Sequence, residues 1–321
     1  MKKELICIKR DGYWFHAIFH YKGSALSKEA IVIDDSDTNK FVEYINKMQL
    51  DKVIVDLNAF KSENLYFLNK IDHIKYLTIW GDGECDFSAI YNLDELVFLD
   101  LMNSSDFNLE RMKNLTFFST NSLSRIKNIE KTVTLKTLQL IDPLNSYEIK
   151  DLTRFSKLNS IDTLSLYGLK IKSLCGIKEM SKLKVLLLRD LKILHDISEI
   201  NCLSSKLSGL LIDRCKKIVD YSVLSSLNKL HFLSLNNVKV PGLDFLSPLR
   251  NLNTFISSNS IFIDGDLSFV NGVQSVVIYP IRKSYYIICD GMKLKYKQKS
   301  IVKEFYDYGD GSIDSWRRIN C

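Results

Sequence analysis

Five histidines and seven cysteines are the residues of this 321-residue chain best suited to metal or nucleophilic chemistry. His16 and His20 stand four apart in YWFHAIFHY, on one side of a strand, and such a pair can fill two of the four positions around zinc. No further Cys or His lies nearby in sequence to complete the set, and two histidines among aromatics serve more readily as packing residues. The cysteines, at 7, 85, 175, 202, 215, 289 and 321, are odd in number and contain no C-x-x-C pair. Reduced thiols in a cytoplasmic protein account for them better than a disulfide framework does. Gly81-Asp82-Gly83 and Tyr308-Gly309-Asp310-Gly311 have the small and acidic residues of phosphate or calcium loops. Neither is followed by the Lys-Ser/Thr of a phosphate loop or matches the alternating acidic ladder of a calcium loop, so both read as turns. No nucleophile, base and orienting partner come together. The expectation is a protein that is not an enzyme, with no catalytic residue, no metal and no cofactor.

The elements that would have to position any site show a simpler order. KLKVLLLRDLKIL, residues 182–194, carries Leu183, Leu186, Leu188 and Leu191 at spacings of three, two and three. The template L-x-x-L-x-L recurs in both directions. Its central apolar residue falls at 53, 77, 99, 118, 138, 164, 186, 210, 233, 255 and 276. That is eleven copies with a mean period of about 22 residues. Each strand is followed by further apolar anchors, as in LKIKSLCGIKEMSKL and VKVPGLDFLSPLRNL.

These features resemble the short-repeat, internalin-like class of bacterial leucine-rich-repeat protein. The resemblance covers about residues 50 to 281. It implies an α/β solenoid, a curved horseshoe with about eleven parallel strands on the concave face and non-repeat caps at both ends. The ninth repeat position, usually Asn, is Asn58 in the first copy but Ser104, Leu191, Cys215, Val238 and Ser260 in later ones. The inner turns therefore need other hydrogen-bond partners. Some bacterial members carry a ubiquitin-ligase domain with a nucleophilic Cys, for which the non-repeat tail ending at Cys321 is too short.

Composition agrees with a folded chain: 46% of residues are apolar, and a solenoid escapes the usual splitting into compact domains because each coil packs only on its neighbours. The start, MKKELICIKRDG, is cut by Lys9 and Arg10 before a signal-like apolar run forms, and no run approaches a membrane span. The expected divisions are an N-terminal cap over 1–49, a hairpin plus a helix with Phe41, Tyr44, Ile45 and Met48 on one face; the solenoid over 50–281; and a C-terminal hairpin cap and tail over 282–321. In that last segment Lys293, Lys295, Lys297 and Lys299 alternate on one face of a strand, and nine basic residues meet five acidic ones. The stripe reads as an outer strand guarded against aggregation; a nucleic-acid footprint, with Arg317 and Arg318, is the alternative.

Function must then come from surface. Within L-x-x-L-x-L-x the leucines point to the core, and positions three, five and seven point to the concave side. Eleven strands at about 4.8 Å spacing make a ribbon about 50 Å long, enough for a standard-sized interface with a protein partner. Tyr76, Trp80, Phe98, Met102 and Phe117 come from three consecutive copies, with Asp56 and Asp100 beside them; Tyr167, Arg189 and Asp213 continue the face. Aromatics rimmed by charge compose an interface hot spot. The expectation is a non-catalytic protein-binding module, of the immunity type that neutralises a bacterial toxin or effector domain. A regulatory or host-directed scaffold is a further alternative. Nucleic acid and membrane are not expected partners.

Overall fold

The repeat strands bury their leucine-template side chains on a core, and five of them leave only the last residue, on the opposite face, partly open. The computed structural model describes residues 7–16, 29–34, 37–289, 292–295 and 301–303. It divides into two compact units that meet in sequence between Leu135 and Lys136.

In the first unit, β1 (Cys7–Arg10) and β2 (Tyr13–His16) form an antiparallel hairpin. Its turn residues Asp11 and Gly12 both have positive φ, 52° and 88°, which is why a Gly is found there. β3 (Ala30–Ile33) pairs antiparallel with β2 and parallel with β4 (Lys52–Asp56). Between them α1 (Thr38–Met48) buries Phe41, Val42 and Ile45. Met48, expected on that face, is instead exposed in the last turn, and Gln49 ends the helix in the left-handed region. Then follow β5 (Tyr76–Trp80), β6 (Phe98–Met102), β7 (Phe107–Asn108), β8 (Phe117–Thr120) and β9 (Ile126–Lys127). β4, β5, β6 and β8 run parallel in that order, with Val53, Leu77, Leu99 and Phe118 in one register row. All four are at most 1% exposed.

The second unit repeats the plan. Its strands are β10 (Thr137–Ile141), β11 (Thr163–Tyr167), β12 (Val185–Arg189), β13 (Gly209–Asp213), β14 (Phe232–Asn236), β15 (Lys239–Val240), β16 (Thr254–Ser258), β17 (Ile261–Phe262), β18 (Ser275–Tyr279), β19 (Tyr286–Cys289), β20 (Met292–Lys295) and β21 (Ile301–Lys303). β10, β11, β12, β13, β14, β16 and β18 pair parallel in order. β21 pairs antiparallel with the outer edge of β18, and β19 with β20. Tyr285, buried, lies over the last coil: its hydroxyl donates to the Ser260 carbonyl at 3.2 Å and accepts from the Phe262 amide at 3.0 Å.

Four repeat strands in the first unit and seven in the second match the eleven copies of the leucine template. Two devices recur along the coils. The residue directly after the strand is left-handed in Gly81, Gly168, Asp190, Arg214, Asn237 and Asn259. In the second unit its amide reaches the next coil's carbonyl, as Asp190 to Asp213 at 2.8 Å and Asn237 to Ser258 at 2.8 Å. At Gly168 no side chain is tolerated, because a methyl would run into the Asp142 carbonyl oxygen. On the return stretch, Asp86, Asp151, Asp196, Asp220 and Asp266 each accept the amide two residues on, at 2.8–3.0 Å, and so open a 3₁₀ turn.

The missing ninth-position asparagines are replaced by other polar groups. Buried Asn103, one residue earlier than the template position, donates to the Gly81 and Gly83 carbonyls at 2.8 and 3.0 Å. Ser260 donates to the Leu235 carbonyl at 2.9 Å. Cys215 sets its thiol 3.6 Å from the Leu188 carbonyl.

Candidate partner-binding surface

Side chains of the strands that turn away from the leucine core form three rows in register. In the first unit the third-position row is Lys52, Tyr76, Phe98 and Phe117. Phe98 and Phe117 stack at 4.1 Å with 12° between planes, Tyr76 tilts against Phe98 at 6.1 Å, and the Lys52 ammonium stands 5.1 Å over the Tyr76 ring. Lys52 is 2% exposed, and Phe98 and Phe117 are 9% exposed. These three are packing residues as the fold stands, while Tyr76 is half-buried.

The fifth-position row runs Ile54, Thr78, Asp100 and Ser119. Asp100 buries its Oδ1 with no hydrogen-bond partner. Burial pushes its carboxyl up to about 6, with the Ser119 hydroxyl pulling weakly the other way.

The seventh-position row, at the strands' C-terminal ends, is more accessible. Asp56, Trp80 and Met102 are neighbours there and each is half-buried. Trp80 leans on the Ala30, Val32 and Ile54 cluster and sets its ring 5.8 Å edge-on to His16. Asp56 turns back to accept the Asn58 amide at 3.0 Å. In the second unit Tyr167, Arg189 and Asp213 are register neighbours, all half-buried. Asp213 pairs with Arg214 at 3.0 Å and accepts from Asn237 at 2.9 Å. Tyr279 ends the row at 57% exposure, while Thr137, Thr163, Val185, Phe232 and Thr254 of the third row are buried.

The structure therefore brings Tyr76, Trp80, Phe98, Met102 and Phe117 onto adjacent strands, with Asp100 between them. It separates them by access, which the leucine template does not encode. The Asp190–Arg214–Asp213–Asn237 polar cluster was only partly visible in sequence, because three of its members sit at the left-handed position outside the strand.

The other sequence candidates fall elsewhere. Gly81 and Gly83 have positive φ, 108° and 119°, and form a turn. Beside it a cleft of about 470 Å³ is lined by Asn58, Glu63, Asp82 and Glu84. Among the described residues no group of three or more His, Cys, Asp or Glu is arranged to hold a metal ion. His20, residues 308–311, Lys297, Lys299, Arg317 and Arg318 lie outside the described residues, as do the side chains of Lys293 and Lys295.

Among solved structures, the chain is similar to an internalin (inlF) from Listeria monocytogenes, with 16% identity over 79% of this chain and 84% of that one and a TM-score of 0.51. This is a leucine-rich-repeat fold. A second similar structure is TLR13 in its complex with ssRNA13, at 16% identity and TM-score 0.51, covering 78% of this chain and 48% of that one. No protein-family model matches the chain, and neither does any curated protein. The leucine-rich-repeat coils place the rows described above on the strand face, and no helix among the described residues is long and apolar enough to cross a membrane.

Proposed function

We propose that the chain is a non-catalytic protein-binding module whose working surface is the seventh-position row. The observation that carries this reading is the contrast in access. Third-row side chains other than Tyr76 are buried by their neighbours, whereas Trp80 and Met102 in one unit, and Tyr167, Arg189 and Asp213 in the other, stay partly open at the strand ends. Aromatic, Met and Arg side chains are the types enriched where interfaces concentrate their energy. Within this class the role we put forward is of the immunity type, neutralising a toxin by stoichiometric binding. Tyr76, Phe98, Asp100 and Phe117 then support the row from beneath, with Asp56 at its edge.

The test is a pulldown from the native host with wild type and with Tyr167→Ala and Met102→Ala, partners being identified by mass spectrometry. One protein should be enriched by wild type and weakened by about 2 kcal/mol or more on loss of a hot-spot side chain. A partner held equally by all three proteins would remove the row from the interface. A toxin domain recovered in that experiment, and silenced on co-expression, would establish the immunity role.

A further inference from the structure

Charge is distributed unequally between the two units. The second, Lys136–Tyr306, has 25 basic and 15 acidic side chains, and the remainder has 19 and 23. Part of the excess is ordered by the repeat. Lys182, Lys206 and Lys229 each stand three residues before their strands, β12, β13 and β14, on three consecutive coils. Lys136 and Lys184 stand one residue before β10 and β12. The backbones of this strand-entry edge are tied coil to coil: Asp162 to Lys136 at 2.9 Å, Lys184 to Asp162 at 2.8 Å, Ser208 to Lys184 at 2.8 Å and His231 to Ser208 at 2.8 Å. Equivalent side chains therefore repeat at about the 4.8 Å strand spacing.

All five lysines are exposed, and among the described residues none has a carboxylate within ion-pair distance. The one acid in the row, Asp162, accepts the Thr163 hydroxyl at 2.9 Å. The same edge of the first unit is built differently. There Gln49, His73, Glu95 and Asn114 hold the positions of Lys182, Lys206 and Lys229, and Lys75 is paired with Glu95 at 3.5 Å. Repeat geometry alone does not demand the lysines. Holding like charges this close raises the self-repulsion of the folded unit, a cost that an opposite charge on a partner removes.

We propose that this ridge, Lys136, Lys182, Lys184, Lys206 and Lys229, docks an acidic segment of a protein partner. The inference rests on the protein-binding reading above and names the chemistry of the partner. Its cations are all lysines, point charges on flexible stems that pair one by one with the carboxylates of an acidic segment. The surface residues interleaved with them are Ser181, Ser205, Ser208, Asn228 and the half-buried His231, whose Nδ1 lies 3.0 Å from the Asn251 carbonyl, so the ridge has no Phe, Tyr or Trp ring on which a single-stranded base would stack.

The test uses the full chain and a fluorescent poly-glutamate peptide, with binding read by anisotropy at about 50 mM and about 300 mM salt, either side of a 10 Å screening length. The peptide should bind at low salt and weaken as salt rises. Lys182→Glu/Lys206→Glu/Lys229→Glu should lower affinity about tenfold or more. The neutral triple, with Gln at the same positions, should move in the same direction, which a folding defect confined to the reversed variant would not produce. Lys192→Glu/Lys216→Glu/Lys217→Glu makes the same charge change at exposed lysines beyond the strands' C-terminal ends, and it should leave affinity nearly unchanged. Equal losses in both reversed triples would reduce the effect to net charge and overturn the proposal. So would absence of peptide binding, or tighter binding of a single-stranded oligonucleotide that the first triple abolishes. None of these variants alters the seventh-position row, so the ridge can fail while that surface stands.

Discussion

Asp100 is the residue at which chemistry and fold disagree most. A carboxyl placed in the middle of a β-strand, with one oxygen buried and unpartnered, is costly when ionised. Its folded-state value, about 6, lies above the usual carboxylate range, so the native state holds the proton more tightly than the unfolded chain. Its contribution to stability is therefore complete below about pH 4 and is lost as pH rises through 6. Wild type should lose about 2–3 kcal/mol between pH 4 and pH 8 from this group. Asp100→Asn should flatten that slope and raise the denaturant midpoint at pH 8. Parallel midpoint-versus-pH curves for the two proteins would mean that the carboxyl is solvated.

At the scale of the element, one coil depends on the next. Leu186 is fully buried at the centre of β12, between Leu164 and Leu210 in register. Leu186→Ala should cost about 2–5 kcal/mol through lost burial and the cavity left behind. Hydrogen exchange should show the loss spreading first to β11 and β13, as nearest-neighbour coupling requires. Unchanged melting would be incompatible with this packing. The strands and their register were legible because each leucine position is imposed by the same core contact in every copy. Trp80 and Phe98 were legible as outward-facing, but their burial was not. Stacking on Phe117 and contact with Val32 depend on side chains that meet across strands, and the template is silent on those. Asn103 escaped for another reason: it does the expected work from a position one residue out of place.

Across the whole molecule the Asp caps of the return stretches act together. Hydrogen bonds from Ser88, Thr153, Ser198 and Ser222 hold Asp86, Asp151, Asp196 and Asp220 below the ordinary carboxylate range. Each lends stability above the unfolded value, about pH 4, and loses it as pH falls through its own lowered value. Acid unfolding followed by circular dichroism should begin below about pH 4. The four Asp→Asn changes together, which keep an acceptor but cannot titrate, should shift the midpoint to lower pH; an unshifted midpoint would assign acid unfolding to other groups. The left-handed residue that follows five consecutive strands of the second unit, β11 to β16 without the short β15, has a consequence of another kind. Asp190 and Arg214 occupy equivalent places, and each hands its amide to the coil ahead. The stretch from 191 to 214 is therefore a complete module, with joints at both ends that match those of its neighbours. Duplication or loss of such a stretch in the gene preserves every joint, whereas a gain or loss of ten residues breaks two. Lineages descending from this sequence can vary in length by whole coils far more readily than by fractions of one.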